Sequence, residues 1–171
     1  MRKTCLLILG LLVVSVISPI SPAHAEKPFG FSAFHPAQYP DSNESIKGVR
    51  LNLIYAVNRD LTGLDLGLLF PVNVVTNDLN GIQLGLYNRV GNNGQGIQLG
   101  TVNIVDGKFK GLQSGFYNEA NYTDGVQFGL VNITERLSGL QVGVANIKGE
   151  PGSGWPREVP HKFFPLVNWT F

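Results

Sequence analysis

Cysteine is almost absent: the only one among 171 residues is Cys5, in a segment that we expect to be removed. The rest of the chain then has no thiol, no disulfide and no cysteine-based metal site, so backbone pairing and apolar burial must stabilise it. Charged residues make up only 15%, against about 25% in an average soluble domain. Together with 21 Gly and 10 Pro, this composition excludes a helical bundle, a coiled coil and a solvated disordered chain.

An excess of basic residues is also missing. The formal net charge is +1, and removing Arg2 and Lys3 from the 13 basic residues leaves 11 against 12 acidic ones. We therefore expect no nucleic-acid partner. The sequence has no run of 18 apolar residues suited to a helical membrane span,.

The first 25 residues have the features of a secretory signal peptide. Arg2 and Lys3 form the positive end, residues 6–17 form a short apolar run, and Ala23, His24 and Ala25 match the small-x-small cleavage motif,. We expect cleavage after Ala25 and export of residues 26–171, a length typical of one small domain.

A short tandem repeat occupies the centre of the sequence. Five full copies share the pattern Gly-apolar-Gln-x-Gly-x-x-Asn, where the residue after the Gln is apolar in all but the third copy, which has Ser114. Two degenerate copies precede them, with Arg50 and Asp65 in place of the Gln. The full copies are residues 81–88, 96–103, 111–118, 125–132 and 139–146, and the degenerate ones are 48–53 and 63–68. The full copies begin 14 or 15 residues apart, so seven units of one pattern predict a repeat architecture.

Inside each unit the residues alternate with a period of two, which is typical of a β-strand. Ile82, Leu84 and Leu86 lie on one face of the first full copy, and Gln83 lies between two glycines on the other. Turn-like residues such as Asp106-Gly107 separate the units and indicate hairpins,. The sequence therefore predicts an all-β antiparallel meander.

Two architectures use a sheet with one apolar face and one face of Gly and Gln. In a small membrane barrel the apolar face contacts lipid and the polar face fills the lumen. In a β-solenoid the apolar face forms the core and identical residues stack between coils. We expect Gly to be kept where another group approaches closely, and Gln to bond to its copies on neighbouring strands. We favour the barrel, with the β-solenoid as the alternative, because the final segment 161–171 adds an eighth strand to the seven units.

The C-terminal segment carries alternating apolar residues and ends in Phe171, with Val167 and Trp169 on one face and Pro165 as the interruption. This segment resembles the terminal strand of bacterial outer-membrane barrels. Together, the tandem repeats and the Pro-Leu-Val-Asn-Trp-Thr-Phe tail resemble the bacterial surface repeat-containing proteins over residues 46–171. That resemblance implies export and residence at the surface or outer membrane, and it brings no catalytic residues. A looser resemblance to curlin repeats rests on the Gln-x-Gly-x-x-Asn core; curlin units are longer and have a second Gln that is missing here.

We predict no catalytic, metal-binding or cofactor-binding residues. Outside the leader the histidines are His35 and His161, far apart in the sequence, and no His, Cys, Asp and Glu cluster has metal-ligand spacing,. A catalytic triad could be drawn from Ser114, His161 and Asp106, but any chain with several serines would allow it. We interpret Asp65, Asp106 and Asp124 as turn or strand-edge residues rather than as a calcium site.

These observations divide the chain into five parts: a signal peptide (1–25), an N-terminal arm or extra strand (26–47), the repeats (48–148), a loop (149–160) and a C-terminal strand (161–171). The loop, with Trp155, is a candidate contact segment. The predicted protein is a non-enzymatic, exported outer-membrane or cell-surface β-repeat protein with membrane lipid as its partner. A secreted, adhesive or self-assembling protein is the alternative, and a small lipid-modifying barrel enzyme is the third hypothesis.

Overall fold

The computed structural model describes residues 26–149 and 162–171. The predicted signal peptide, most of the predicted contact loop with Trp155, and His161 of the predicted C-terminal strand lie outside the described residues. The described residues form twelve strands joined in one hydrogen-bonded sheet, and no helix. The strands are β1 (Lys27–Phe34), β2 (Ala37–Tyr39), β3 (Ile46–Asn58), β4 (Leu61–Gly67), β5 (Val72–Val75), β6 (Leu79–Leu84), β7 (Tyr87–Val90), β8 (Gly94–Leu99), β9 (Val102–Ser114), β10 (Tyr117–Phe128), β11 (Val131–Lys148) and β12 (Lys162–Thr170).

The repeats form a β-solenoid of about 8 turns, which confirms the all-β prediction and its solenoid alternative. The predicted barrel and antiparallel meander are wrong, because successive repeats pair in parallel and in register. Each repeat therefore makes one full coil rather than one strand of a meander. Asp106-Gly107 does not form the predicted hairpin turn, since β9 continues through both residues.

Each coil has two walls that meet at two bends. The first wall consists of β4, β6, β8 and the C-terminal halves of β9, β10 and β11. The second wall consists of β5, β7 and the N-terminal halves of β9, β10 and β11, and it begins with the C-terminal end of β3. A repeat of 14 or 15 residues is long enough for two short strands and two bends.

The first glycine of each repeat lets neighbouring coils approach closely. Gly111 pairs with Gly96 on one side and Gly125 on the other, and its φ of 134° lies in a region that favours glycine,. A Cβ at Gly111 would lie 2.0 Å from the carbonyl oxygen of Gly96. The same steric conflict would arise at the equivalent glycine of each coil. The group that we expected to approach these glycines closely is therefore the backbone of the neighbouring coil.

The polar face of the repeat points into the solenoid, contrary to the expected apolar core. Every repeat Gln and Asn is buried. The apolar residues of the repeat point outward instead, and Leu86 and Leu99 are 44% and 39% exposed. The apolar core is small and comes from other positions, namely Ile46, Leu61, Val75, Leu79, Val90, Val105, Phe109 and Ala120.

Two amide ladders of opposite direction satisfy the buried polar side chains. In the Gln ladder each Nε2 donates to the preceding coil, as Gln98 does to Oε1 of Gln83 at 2.9 Å. In the Asn ladder each Nδ2 donates to the following coil, as Asn88 does to Oδ1 of Asn103 at 2.8 Å. The bonds tie each coil to the next and make an interior of amides possible.

Separate strands cover both ends of the stack. At the N-terminal end β1 pairs in parallel with β3, and β2 pairs with β1. At the C-terminal end β12 pairs antiparallel with β11. Asn168 on β12 is 4% exposed, and its Nδ2 donates to Oε1 of Gln141 at 2.7 Å, so it terminates the Gln ladder.

Candidate functional site

The most distinctive surface is the bend between the first and second walls, which we call the apolar edge. It is formed by the residues that flank the second glycine of each repeat, at positions 66–72, 84–87, 99–102, 114–117, 128–131 and 142–145. None of these residues is Asp, Glu, Lys or Arg. Its most exposed large side chains are Leu68 (56%), Leu69 (63%), Phe70 (74%), Phe116 (65%), Phe128 (56%), Leu130 (51%) and Val144 (63%).

The sequence fixes this orientation through the Asn that follows each bend. Asn103 points inward, and its Nδ2 donates to the backbone oxygen of Ser114 and to Oδ1 of Asn118, at 3.0 and 2.9 Å. A Cβ at Gly115 would lie 2.2 Å from the carbonyl oxygen of Gly100. Because the Asn and the Gly occupy the inner side of the bend, the apolar residues beside them project outward.

The apolar edge is a narrow ridge that is one bend wide. Its six glycine-centred bends are stacked at the spacing of adjacent strands, so the ridge is about 24 Å long. A surface this apolar is uncommon on a soluble monomer, which makes the apolar edge the candidate contact surface.

An extended bend protrudes from the ridge at the second coil. Leu69, Phe70 and Pro71 are additional to the repeat pattern, since Val72 pairs with Tyr87 in the next coil. Leu68, Leu69 and Phe70 are among the more exposed apolar residues of the described chain. Because three apolar residues extend the bend here, it is the most prominent part of the apolar edge.

Further along the ridge lies an open groove of about 450 Å³. Its floor contains Gly100, Gly115 and Gly129, and Phe116 and Phe128 line it. Small side chains at Thr101 and Ser114 make the space, where other coils carry leucine, phenylalanine or valine.

Charged residues gather at the opposite bend, which we call the charged edge. Arg59 pairs there with Asp60, and Lys108 pairs with Asp124 at 3.0 Å. Glu135 and Arg136 occupy the corresponding bend of a later coil. Because this bend recurs in each coil, its charged residues form one side of the solenoid.

Asp60 is the most strongly bonded carboxylate of the charged edge. Burial raises its pKa, but donors on Ser45, Arg59 and Asn77 and the backbone N–H of Asp78 outweigh that effect and lower the pKa to about 2,. Asp60 is thus ionised and ties the bends of adjacent coils together.

The two non-Gln residues of the degenerate repeats form a buried ion pair. Nη2 of Arg50 lies 2.6 Å from Oδ2 of Asp65, and Nε lies 2.8 Å from Oδ1. Both side chains are almost completely buried. Asp65 also accepts a hydrogen bond from Nε2 of Gln83 at 2.9 Å, so the Gln ladder ends at this ion pair on its N-terminal side. Asp65 is therefore an interior residue rather than the predicted turn or strand-edge residue.

The structure does not bring the conceivable triad together in the residues it describes. Ser114 lies at the apolar edge, whereas Asp106 pairs with Arg89 on the second wall, and His161 lies outside the described residues. Among residues 26–149 and 162–171, no group of three or more His, Cys, Asp or Glu side chains could hold a metal ion.

The apolar edge is the feature that sequence reasoning missed. The repeat was correctly divided into two faces, but the apolar face was assigned to lipid around a barrel or to a solenoid core. The feature of the sequence that indicates this orientation is the pair of glycines that flank each Gln, together with the following Asn. Glycines take so little space that the Gln and Asn side chains can pack inside a narrow coil.

The fold and the edge define the class of the molecule as a two-walled β-solenoid with an apolar side and a charged side. In the part of the chain that the structure describes, no helix is long and apolar enough to cross a membrane. No protein-family model matches the chain, and no curated protein or solved structure is significantly similar to it.

Proposed function

We propose that this chain is a non-enzymatic, exported β-solenoid of the bacterial outer membrane or cell surface that binds membrane lipid through the apolar edge. The observation that carries the proposal is the separation of exposed Leu and Phe side chains at one edge from the charged residues at the other. The signal-peptide features of residues 1–25 and the resemblance to bacterial surface repeat-containing proteins support export.

Lipid suits this surface better than a second copy of the chain does. The side chains project from a narrow bend, and acyl chains can surround a ridge on both flanks, whereas a flat partner covers one. Leu69 and Phe70, at the most prominent bend, would enter the lipid first. The interaction resembles that of interfacial elements, which bury an apolar face in one leaflet and keep charges in water.

The test is flotation of the purified protein with liposomes of phosphatidylethanolamine and phosphatidylglycerol. We expect the protein to float with the lipid and to remain bound in 1 M NaCl, because few charges contribute to the contact. The variant Phe116→Asp with Leu130→Asp should reduce the floating fraction at least tenfold. Both side chains are more than half exposed, so circular dichroism should show an intact fold.

A matched control adds the same charge elsewhere. Asn80→Asp with Asn93→Asp introduces two carboxylates at exposed positions away from the apolar edge, and it should float like the unmodified protein. Equal flotation of all three proteins, or release of the unmodified protein by salt, would contradict lipid binding by the apolar edge. In cells, recovery of the protein in the outer-membrane fraction would test the location separately.

The self-assembling alternative has one observation in its favour and one against it. In-register amide ladders such as those of Gln98 and Asn103 also stabilise fibres,. Against fibre growth, β1 and β12 cover the two ends where another coil would add. Filaments formed by the intact purified protein would support that alternative over a lipid-bound monomer.

A further inference from the structure

The outer face of the second wall carries a different feature, an alternation of tyrosine and valine. Tyr55, Val72, Tyr87 and Val102 occupy equivalent positions in consecutive coils, because each pairs in register with the next. Adjacent strands are about 4.8 Å apart, so Tyr55 and Tyr87 are separated by about 9.6 Å across Val72. The backbone register therefore places Val72 between two tyrosines.

The space between these tyrosines is a trough of about 560 Å³. That volume lies within the usual range of small-molecule sites, which combine apolar walls with a few placed polar groups. Val72 and Val74 form the floor, and Thr76 lies at one end. Both tyrosines line this trough, so their aromatic rings are available to a ligand held above Val72.

An ion pair supplies the polar groups of the trough. Nη2 and Nε of Arg89 lie 2.9 and 3.3 Å from Oδ2 of Asp106. Both side chains are 38% or more exposed, so unused guanidinium N–H groups and the second carboxylate oxygen can face a ligand. The hydrogen bond and charge of Asp106, with a smaller contribution from Tyr87, raise the pKa of Arg89.

We propose that this trough binds a neutral saccharide, with a sugar ring stacked between Tyr55 and Tyr87 and its hydroxyl groups bonded to Arg89 and Asp106. A sugar ring offers C–H groups to aromatic faces and hydroxyls that both donate and accept. The paired charges of Arg89 and Asp106 cancel, so the site presents donors and acceptors without net attraction for an anion or a cation. This inference goes beyond lipid binding and concerns the outer face of the second wall, which adjoins the apolar edge at Val72 and Tyr87.

The test is saturation-transfer NMR on the purified protein in lipid-free buffer, so that its outcome is independent of membrane binding. The probes are maltose, cellobiose and N,N′-diacetylchitobiose as neutral disaccharides and lactose 1-phosphate and glucose 6-phosphate as an anionic disaccharide and an anionic monosaccharide. We expect saturation of the ring C–H protons of at least one neutral probe and little for either phosphate.

Variants locate the site. Tyr87→Ala should reduce the transfer at least fivefold, Tyr87→Phe should keep most of it, and Asp106→Asn should shift the preference toward glucose 6-phosphate because Arg89 then lacks its counter-charge. Tyr39→Ala, an exposed tyrosine on β2, is the matched control and should change nothing. Absence of transfer to all neutral probes, or equal transfer with Tyr87→Ala, would overturn the proposal.

Discussion

At the scale of single residues, the ion pair Arg50–Asp65 shows how the solenoid begins its Gln ladder. The Gln side chains donate toward the N-terminal end, and the ladder reaches Asp65, whose oxygens only accept,. Burying that carboxylate is tolerable because Arg50 binds both of its oxygens,. The two departures from the repeat pattern therefore depend on each other.

Replacing one member of this pair should be far more harmful than replacing both. Asp65→Gln leaves the guanidinium of Arg50 buried without its counter-charge, which should lower the free energy of unfolding by about 3–5 kcal/mol. The double variant Arg50→Gln with Asp65→Gln extends the Gln ladder by two coils and should recover most of that loss. Urea denaturation followed by circular dichroism measures both, and equal destabilisation of the two variants would contradict the ladder explanation.

Asp60 should make the stability of the protein depend on acid. Its pKa of about 2 in the folded protein lies below the value of about 3.9 in an unfolded chain. Its contribution is therefore complete above pH 4 and is lost as the pH falls from about 4 to 2. Urea midpoints measured between pH 2 and 6 should converge for the unmodified protein and Asp60→Asn at the acid end. Curves that stay parallel over this range would contradict the assignment.

Sequence analysis predicted the strands and the role of glycine but not the direction in which the side chains face. Alternation at Ile82, Gln83 and Leu84 is the same whether Gln points into a lumen, a core or solvent. The period alone therefore could not show which face of the strand points inward. Apolar burial is the usual guide, and it fails here because the ladders satisfy the Gln and Asn amides inside the coil. The apolar edge followed from that inversion and was therefore missed as well.

At the scale of elements, β12 closes the stack. It runs antiparallel to β11, unlike the parallel pairs between coils, and it contains Pro165, which cannot donate from its backbone nitrogen. Leu166 has a φ of 66°. Such features make an outer edge a poor template for another strand.

Deleting residues 162–171 should convert a monomer into an associating protein. The deletion exposes the backbone edge of β11 and leaves Oε1 of Gln141 without the donor that Asn168 provides. We expect concentration-dependent oligomers in size-exclusion chromatography with light scattering, whereas Phe171→Ala, which keeps β12, should leave the mass unchanged. A monomeric deletion variant would show that β12 does not prevent association.

At the scale of the whole molecule, the short sequence repeat produces a stack of coils with the apolar edge on one side and the charged edge on the other. Each coil repeats the same cross-section, so one apolar residue per repeat becomes a ridge and one charged bend becomes a charged side. Stability in such a stack is close to a sum over coils and their interfaces. Length, stability and the size of the apolar edge should therefore change together.

Removal of one whole coil tests this additivity. Deleting residues 96–110 joins Gln95 to Gly111, and Gly81 then meets Gly111 in the register that Gly96 occupied. The shortened protein should fold with strand-rich circular dichroism, unfold at lower urea, and float less with liposomes because the ridge is one bend shorter. Deleting residues 96–102 instead removes about half a coil and places Val105 opposite Gln83, where Gln98 stood. The Gln ladder is then interrupted and two different walls of the coil are stacked on each other, so this variant should not fold. Equal behaviour of the two deletions would mean that the coil is not the unit of the structure.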